Sequence, residues 1–157
     1  MPAGFESFTW FGRGPGETYP DRKAGAAIGL YSSSVDDQHE PYIMPQEHGN
    51  RTDVRWVALR DSQGRGLLMV GEPLLQASVS HYTADDLYAA MHTIDLVRRP
   101  EVYVNLDLLQ SGLGGASCGP GTLDRHLAWP GEHRFSVVVK PLAPADQPAI
   151  KARAAVA

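Results

Sequence analysis

Glycine and proline residues are spread along the whole chain, and this dispersion limits the possible folds more than any other feature. The 157 residues include 16 Gly and 12 Pro, which are scattered from Pro2 to Pro148 rather than collected in one linker. Both residue types end regular elements, so frequent interruption favours short strands joined by turns over long helices. The sequence therefore predicts an all-β fold rather than a helical bundle or a parallel α/β sheet.

Alternation of apolar and polar residues marks the predicted strands. It runs from Val54 to Leu59, from Leu75 to Ser80, from Val102 to Leu108 and from Phe135 to Val139, and an aromatic segment runs from Phe5 to Phe11. Alternation gives each strand one face that packs in the core and one face that is exposed to solvent. An antiparallel sandwich of two sheets satisfies such strands best.

One short helix is predicted after the strand that ends at Ser80. Thr83 can cap its start, and the acidic residues that follow suit a helix N-terminus. Its apolar residues, at helical spacing, are Leu87, Ala90, Met91 and Ile94.

The remaining segments lack periodicity. From Glu17 to Asn50 we expect a long extended loop that packs on the sheet. We expect the β-sandwich domain to span residues 1–142, and residues 143–157 to form a flexible tail.

Charge and hydropathy exclude several classes of partner. With 14 Lys and Arg against 18 Asp and Glu, the formal charge is −4 and no basic block attracts nucleic acid or an anionic membrane. The longest apolar runs, such as Leu67 to Val70, are far shorter than the roughly 20 residues that cross a bilayer. The single cysteine, Cys118, rules out an intramolecular disulfide and favours a cytoplasmic location.

The residues alone assign neither a catalytic group nor a metal site. Gly115 to Gly119 matches the letters of the G-x-S-x-G nucleophile elbow, but Pro120 and Gly121 follow where the elbow needs a helix, so we interpret the segment as a turn. The six histidines show no metal-ligand spacing, and one cysteine cannot build a thiolate zinc site.

A polar segment offers candidate sugar-binding residues. Glu47 to Arg51 combines an acid, an imidazole, an amide and a guanidinium within a predicted loop. Such a loop can line a sugar pocket, because hydroxyls require both donors and acceptors. Glu47, His48 and Arg51 are therefore candidate substrate-binding residues. A solvated turn with a surface ion pair is the alternative, and composition alone favours it.

Four segments carry further motifs. Trp10 to Arg22 reads W-F-G-R-G-P-G-E-T-Y-P-D-R, and Pro41 to Arg51 fits P-Y-x-x-P-x-E-x-G-x-R. Ser80 to His92 suits the end of a strand followed by a capped helix, and Asn105 to Pro120 contains D-x-x-x-x-G-L-G-G. In this order they resemble the long-chain β-galactosidases of glycoside hydrolase family 2.

The resemblance implies the small-chain-type C-terminal domain of such an enzyme, with a galactose mutarotase-like supersandwich fold. The whole enzyme would hydrolyse terminal β-D-galactosides such as lactose. Its catalytic glutamates and Mg²⁺ ligands would lie in a barrel domain outside these residues, so this chain alone would hold no cofactor and be inactive. The domain would shape the substrate entrance and contact the rest of the enzyme chain and other subunits of a homo-oligomer.

The resemblance also points to the loop from Ser117 to Pro120, which in the family reaches the active-site entrance. Some members place a tryptophan there as a platform for the sugar. Cys118 stands nearest to that position here, which makes it a fourth candidate substrate-binding residue. The same resemblance implies ion pairs among Arg22, Glu47 and Arg51.

Two alternatives remain open from the residues. The first is an independent carbohydrate-binding module that uses the Glu47 to Arg51 loop. The second is a mutarotase-like module, which would need an acid and a base facing the ring oxygen of one sugar.

Overall fold

Strands dominate the computed structural model, which describes residues 1–115 and 118–155. The strands are β1 (Ser7–Gly14), β2 (Ala27–Ser34), β3 (Arg51–Arg60), β4 (Gly66–Ser80), β5 (Tyr103–Asp107) and β6 (Ser136–Leu142). The helices are α1 (Ala84–Ala89) and α2 (Pro148–Arg153), with short 3-10 helices at Asp36–Gln38, Thr93–Asp95 and Asp124–His126. In this part of the chain, no helix is both long and apolar enough to cross a membrane.

All the described strands join one antiparallel sheet, which confirms the all-β antiparallel fold class. The order is β2-β1-β3-β4-β5, and β6 also pairs with β4. The sandwich-like packing expected from the sequence is built here on one continuous sheet, because backbone pairing links all these strands. The reason is the length of β4, which has 15 residues and pairs with β3 along one side and with β6 and then β5 along the other.

Both faces of the sheet carry buried side chains, and we call them the Trp10 face and the Trp56 face. The larger cluster packs on the Trp10 face and contains Phe8, Trp10, Val35, Val54, Val57, Leu59, Met69, Ala77, Val79 and Val102. The cluster on the Trp56 face contains Trp56, Ala58, Leu68, Val70, Leu142 and Ala152. Alternation along β3 separates the two, because Val57 lies opposite Trp10 while Trp56 lies opposite Phe11.

The segment between β1 and β3 contains a strand that the sequence analysis missed. β2 pairs with β1 along its whole length, from Ser7 opposite Ser34 to Gly14 opposite Ala27. The expectation of an extended loop throughout Glu17 to Asn50 is therefore wrong at β2. The pattern Ala-Ile-Gly-Leu-Tyr-Ser-Ser-Ser hides the strand, because its serines and glycine are typical of loops.

Helix α1 begins where the sequence predicted and ends earlier. Thr83 and Asp86 form a reciprocal capping box at its start. The backbone turns extended at Ala90, so Ile94 is 91% exposed instead of lying on the buried face of a longer helix. Leu87 alone of the helix residues is buried.

Helix α2 is an addition to the single helix expected from the sequence. It lies within residues 143–157, which were predicted to form a flexible tail. Pro148 stands in its first turn, and Ala152 is buried in the cluster of the Trp56 face. This contact attaches the end of the described chain to the sheet.

Candidate functional site

Two loop segments run side by side and form the base of the candidate site. The backbone N–H of Thr18 donates to the carbonyl of Asn50 at 2.7 Å, and the Asn50 amide donates back to the Thr18 carbonyl at 2.9 Å. Asn50 is fully buried and also donates to Gln76 on β4 at 2.6 Å. The motif that contains Glu17 is thereby fixed against the motif that contains Arg51.

Arg51 points into the protein rather than towards solvent. The residue is 2% exposed, and its guanidinium donates to the side-chain oxygen of Gln38 at 2.6 Å and to the carbonyl of Gly49 at 2.9 Å. The same group lies over the ring of Trp10, 5.0 Å from the centroid, as a cation–π contact. Burial lowers the pKa of Arg51 to about 10.

Glu17 is a buried acid that organises the loop around it. Its carboxylate accepts hydrogen bonds from the Tyr42 hydroxyl and from the backbone N–H of Gly49, the latter at 2.9 Å. Arg22 adds an ion pair at 3.3 Å. The hydrogen bond with Glu17, aided by burial, raises the pKa of the Tyr42 hydroxyl to about 12. The expected ion pair of Arg22 is therefore made with Glu17, not with Glu47.

Glu47 presents a carboxyl group in a polar surface cluster. Tyr19 donates to one oxygen at 3.1 Å, and Gln110 donates to the other at 3.2 Å. Gln110 also donates to Asp107 at 3.3 Å, so one amide bridges two acids. Glu47 as a whole is exposed, but its carboxyl is partly buried, and this partial burial raises its pKa, with a smaller contribution from the charge of Asp107. Burial also raises the pKa of Asp107.

His48 is buried beside a second histidine. Its Nδ1 lies 2.8 Å from the carbonyl of Gln46, and its Nε2 lies 3.1 Å from Nδ1 of His39. A donated Nδ1–H leaves Nε2 of His48 as the acceptor, so His39 is the donor between the rings. Burial lowers the pKa of His39, and the neighbouring His48 lowers it further.

Asp21 attaches the Gly-rich loop to the first motif. Its two carboxylate oxygens accept the backbone N–H groups of Leu113, at 3.0 Å, and Gly114, at 2.7 Å. Burial acts to raise the pKa of Asp21, but the two hydrogen bonds, together with a backbone hydrogen bond of Asp21 itself and the charge of His126, lower it. A Cβ atom at Gly112 would lie 2.6 Å from the Asp21 carboxyl carbon, so a larger residue there would displace the Asp21 carboxylate.

Cys118 lies farther along the same loop and is exposed. Its backbone N–H donates to the carbonyl of Gly115 at 3.0 Å, in a turn. Ala116 and Ser117, which belong to the G-x-S-x-G letters, lie outside the described residues.

One cluster has the chemistry of metal ligands within the described residues: Glu6, Asp36 and His81. The Arg98 guanidinium donates to Glu6 at 2.7 Å and to Asp36 at 2.8 Å, and it lies 2.8 Å from Nε2 of His81. The Arg98 guanidinium thus supplies the positive charge that balances the two carboxylates. Mg²⁺ prefers an octahedron of oxygen ligands, so this cluster does not fit the Mg²⁺ expected of the parent enzyme.

Comparison with known proteins decides the family. The family model described as the β-galactosidase small chain matches residues 1–139. This chain belongs to the β-galactosidase small chain family. A β-galactosidase of Priestia megaterium is 44% identical over 115 residues, which cover 73% of this chain and 11% of that enzyme. A β-galactosidase of Kluyveromyces lactis is 38% identical over 125 residues, which cover 78% of this chain and 12% of that enzyme.

This chain thus spans about an eighth or less of these relatives, whose matched shares are 11% and 12%. The resemblance seen in the sequence is confirmed. Within the domain, its motifs meet: Glu17 of the first accepts from Gly49 of the second, and Asp21 of the first holds Gly114 of the last.

The four candidate site residues of the small chain fall in different places. Glu47, His48 and Arg51 share one segment, but only Glu47 is exposed, and Cys118 lies on a separate loop. Their role in substrate binding stays a prediction. Sequence reasoning missed Tyr19 and Gln110 as partners of Glu47, and Asp107 as the acid that Gln110 bridges to it, because no local pattern signals a contact between residues 63 positions apart.

Proposed function

We propose that this chain serves as the small-chain domain of a β-galactosidase that hydrolyses terminal β-D-galactosides such as lactose. The match to the family over residues 1–139 carries the proposal. A retaining hydrolysis needs two carboxyl groups at a defined separation, and the parent enzyme would supply both glutamates and its Mg²⁺ from outside this chain. The chain alone would be inactive.

The loop held by Asp21 would form part of the substrate entrance. Hydrogen bonds from Leu113 and Gly114 fix the loop at its base, while Cys118 stays exposed. A loop with a fixed base and an accessible end suits one side of a binding site. The base fixes where the loop lies, while the exposed end remains free to contact substrate. Cys118 would contribute a small, weakly polar surface there.

Glu47 is the candidate substrate contact of the second motif. Its exposed position and the flanking Tyr19 and Gln110 supply the mixed donors and acceptors that sugar hydroxyls require. His48 and Arg51 would act as positioning residues, since both are buried.

The proposed partners are the rest of the β-galactosidase chain, the galactoside and other subunits of a homo-oligomer. A cytoplasmic location belongs to the same proposal, because the exposed thiol of Cys118 is best preserved in a reducing compartment.

An exchange of segments tests the main proposal. The matched segment of the Priestia megaterium β-galactosidase is replaced by the 115 residues of this chain that align with it, and lactose hydrolysis is measured. We expect the chimera to be active, whereas the same relative without its matched segment should be inactive. A chimera with the circular dichroism of the unmodified enzyme and no hydrolysis would refute the proposal.

A second candidate function is an independent carbohydrate-binding or mutarotase-like module. The observation that favours it is the surface pair of acids, Glu47 and Asp107, bridged by Gln110. Calorimetric titration of the isolated chain with galactose and lactose tests it, with Glu47→Gln as the control. Binding by the wild type that is weakened in this variant would support the carbohydrate-binding module, and faster mutarotation of α-galactose would support the mutarotase-like module.

A further inference from the structure

A small pocket lies beside the irregular part of the pairing between β3 and β4. Arg51 lies opposite Ala77 and Val54 lies opposite Leu75, so three steps along β3 match two steps along β4. The bulge leaves Asp53 outside the paired positions, with a φ of 54° in the left-handed region. Residues held in this region cluster at functional sites, because the surrounding structure must keep them there.

The pocket has a volume of about 250 Å³, and its walls are formed by β4 and by two loop segments. The lining includes residues 74–76, 108–110 and 125–128. Two hydrogen bonds fix the loop walls: Gly112 donates to the carbonyl of His126 at 2.6 Å, and the backbone N–H of Ala128 donates to the Ser111 hydroxyl at 3.0 Å. Pockets for drug-sized ligands measure about 300–1,000 Å³, so this one suits a ligand as small as a single sugar ring.

Gln76 presents a buried amide group to this pocket. The residue is 8% exposed, and its side-chain oxygen accepts from the Asn50 amide at 2.6 Å. The same Asn50 nitrogen donates to the Thr18 carbonyl at 2.9 Å, and this contact fixes the orientation of both amides. Among the residues that the structure describes, no acceptor takes a hydrogen bond from the Gln76 amide nitrogen. Because Gln76 lines the pocket, these N–H groups are available to a ligand there.

Asp53 and Lys23 also line the pocket and supply charged partners. The Asp53 carboxylate pairs with Arg13 at 2.5 Å and with Lys23 at 2.7 Å. Burial acts to raise the pKa of Asp53, but the hydrogen bonds and charges of Lys23 and Arg13 lower it, so the group is an ionised acceptor. Each carboxylate oxygen keeps a lone pair for a further donor, and the Lys23 ammonium keeps further N–H groups.

We propose that this pocket binds one neutral monosaccharide, whose hydroxyl groups accept from Gln76 and donate to Asp53. Sugar hydroxyls require donors and acceptors together, and the hydrocarbon face of the ring would pack on Leu75 and Leu108. A charged ligand would meet a like charge in either case, because Asp53 repels anions and Lys23 repels cations. The choice of galactose and glucose as probes rests on the proposed function, since hydrolysis of lactose releases both.

Calorimetric titration of the 157-residue chain with galactose and with glucose tests the inference. Gln76→Glu replaces the amide nitrogen with an oxygen and keeps the acceptor for Asn50. We expect its affinity for the sugar to fall at least about tenfold, because a donor is lost and a second acceptor faces the sugar hydroxyl. Gln63→Glu makes the same chemical change at an exposed position between β3 and β4, and should leave the affinity unchanged.

Ala128→Trp is a second test that leaves the buried hydrogen bonds of Gln76 intact. Ala128 is exposed and lines the pocket, so the indole ring would occupy its volume. We expect this variant to lose sugar binding, whereas Ala145→Trp, at an exposed position outside the pocket, should keep it. The circular dichroism of both tryptophan variants should match wild type. In NMR spectra of wild type, the sugar should shift the side-chain amide signals of Gln76.

The outcomes separate this inference from the proposed function. If the folded chain binds neither sugar, the pocket assignment fails, even where the chimera described above hydrolyses lactose. Sugar binding together with a folded but inactive chimera would refute the proposed function and support the pocket. Binding that Glu47→Gln weakens, and that Gln76→Glu and Ala128→Trp leave unchanged, would place the sugar at Glu47 and overturn the pocket. A higher affinity for galacturonate than for galactose would overturn the assignment to a neutral sugar.

Discussion

At the scale of single residues, Arg51 is a cation held by neutral acceptors inside the protein. Gln38 and Gly49 accept from it, and the Trp10 ring lies beneath it. Its removal would leave a buried amide oxygen and a buried carbonyl without donors. Each such group destabilises the folded state by the full, uncompensated cost of its desolvation.

Arg51→Met tests this structural role. Methionine keeps most of the stem volume but cannot donate, so we expect a loss of about 2 kcal/mol in the free energy of unfolding, measured by urea denaturation. Arg65→Met is the control; the Arg65 side chain is 68% exposed and pairs with Asp61, so the loss should be about 0.5 kcal/mol or less. Equal losses in the two variants would contradict the structural role.

Asp21→Ala tests the attachment of the Gly-rich loop. Loss of the two hydrogen bonds from Leu113 and Gly114 should cost about 1 kcal/mol, because the acceptor is charged but close to solvent. Hydrogen exchange at these two amides should accelerate while exchange in β3 is unchanged. Asp21→Asn keeps one acceptor oxygen and should give an intermediate rate. Unchanged exchange in Asp21→Ala would mean that something else holds the loop.

The sequence could locate these residues but not their orientation. The motif from Pro41 to Arg51 identified the segment, yet only the folded backbone shows Arg51 turned inward and Glu47 turned outward. The same residue types suit a sugar pocket and a buried polar core, because both need donors and acceptors in balance.

At the scale of elements, β3 shows where alternation is insufficient. The sequence predicts alternating faces from Val54 to Leu59, and the structure buries both sets because the sheet is covered on both sides. Val54 joins the Trp10 face although Trp56, two residues on, lies on the opposite face. The register shifts between these residues, and Asp53 adopts φ of 54°. Such a bulge changes which residues of the strand point to each face of the sheet, and a periodic sequence pattern does not predict it.

Helix α2 gives a prediction at this scale. Ala152→Asp would place a carboxylate against Trp56 and Leu142, so the helix should separate from the sheet. We expect a loss of about 2 kcal/mol, or a fall of about 4–8 °C in Tm, measured by calorimetry. Ala154→Asp, at an exposed position one residue past the helix, is the matched control. If both variants melt at the wild-type temperature, the α2 contact contributes no stability.

At the scale of the whole molecule, the order of strands in the sheet depends on strand lengths that local sequence patterns do not reveal. The sequence predicts a strand that begins at Leu75, but β4 runs from Gly66 to Ser80 and passes through Gly71 and Pro73. Its continuity makes β5 and β6 neighbours of one strand and gives a single sheet. The antiparallel class was predictable from alternation; this topology was not, because it depends on pairings far apart in sequence.

Carboxyl groups with lowered and with raised pKa values have opposite effects on how stability depends on pH. Hydrogen bonds from Arg98 and Arg99 lower the pKa values of Asp36 and Asp86, and the stability they contribute is lost as pH falls. Burial raises the pKa of Asp107, so its folded state binds a proton more tightly than its unfolded state. The stability that Asp107 contributes is therefore present below its unfolded pKa and lost as pH rises through its folded pKa.

Asp107→Asn removes this titration while keeping the size of the side chain and an acceptor for Gln110. We expect the variant to be more stable than wild type at about pH 7, and the difference to vanish at about pH 3, where the Asp107 carboxyl is neutral in both folded and unfolded wild type. Urea midpoints at the two pH values measure it. Asp85→Asn, at an exposed position in the first turn of α1, is the control and should show no such gain at neutral pH. A variant that is less stable than wild type at neutral pH would show that the charged form of Asp107 stabilises the sheet edge, since only a favourable interaction with the ionised carboxylate could outweigh its burial.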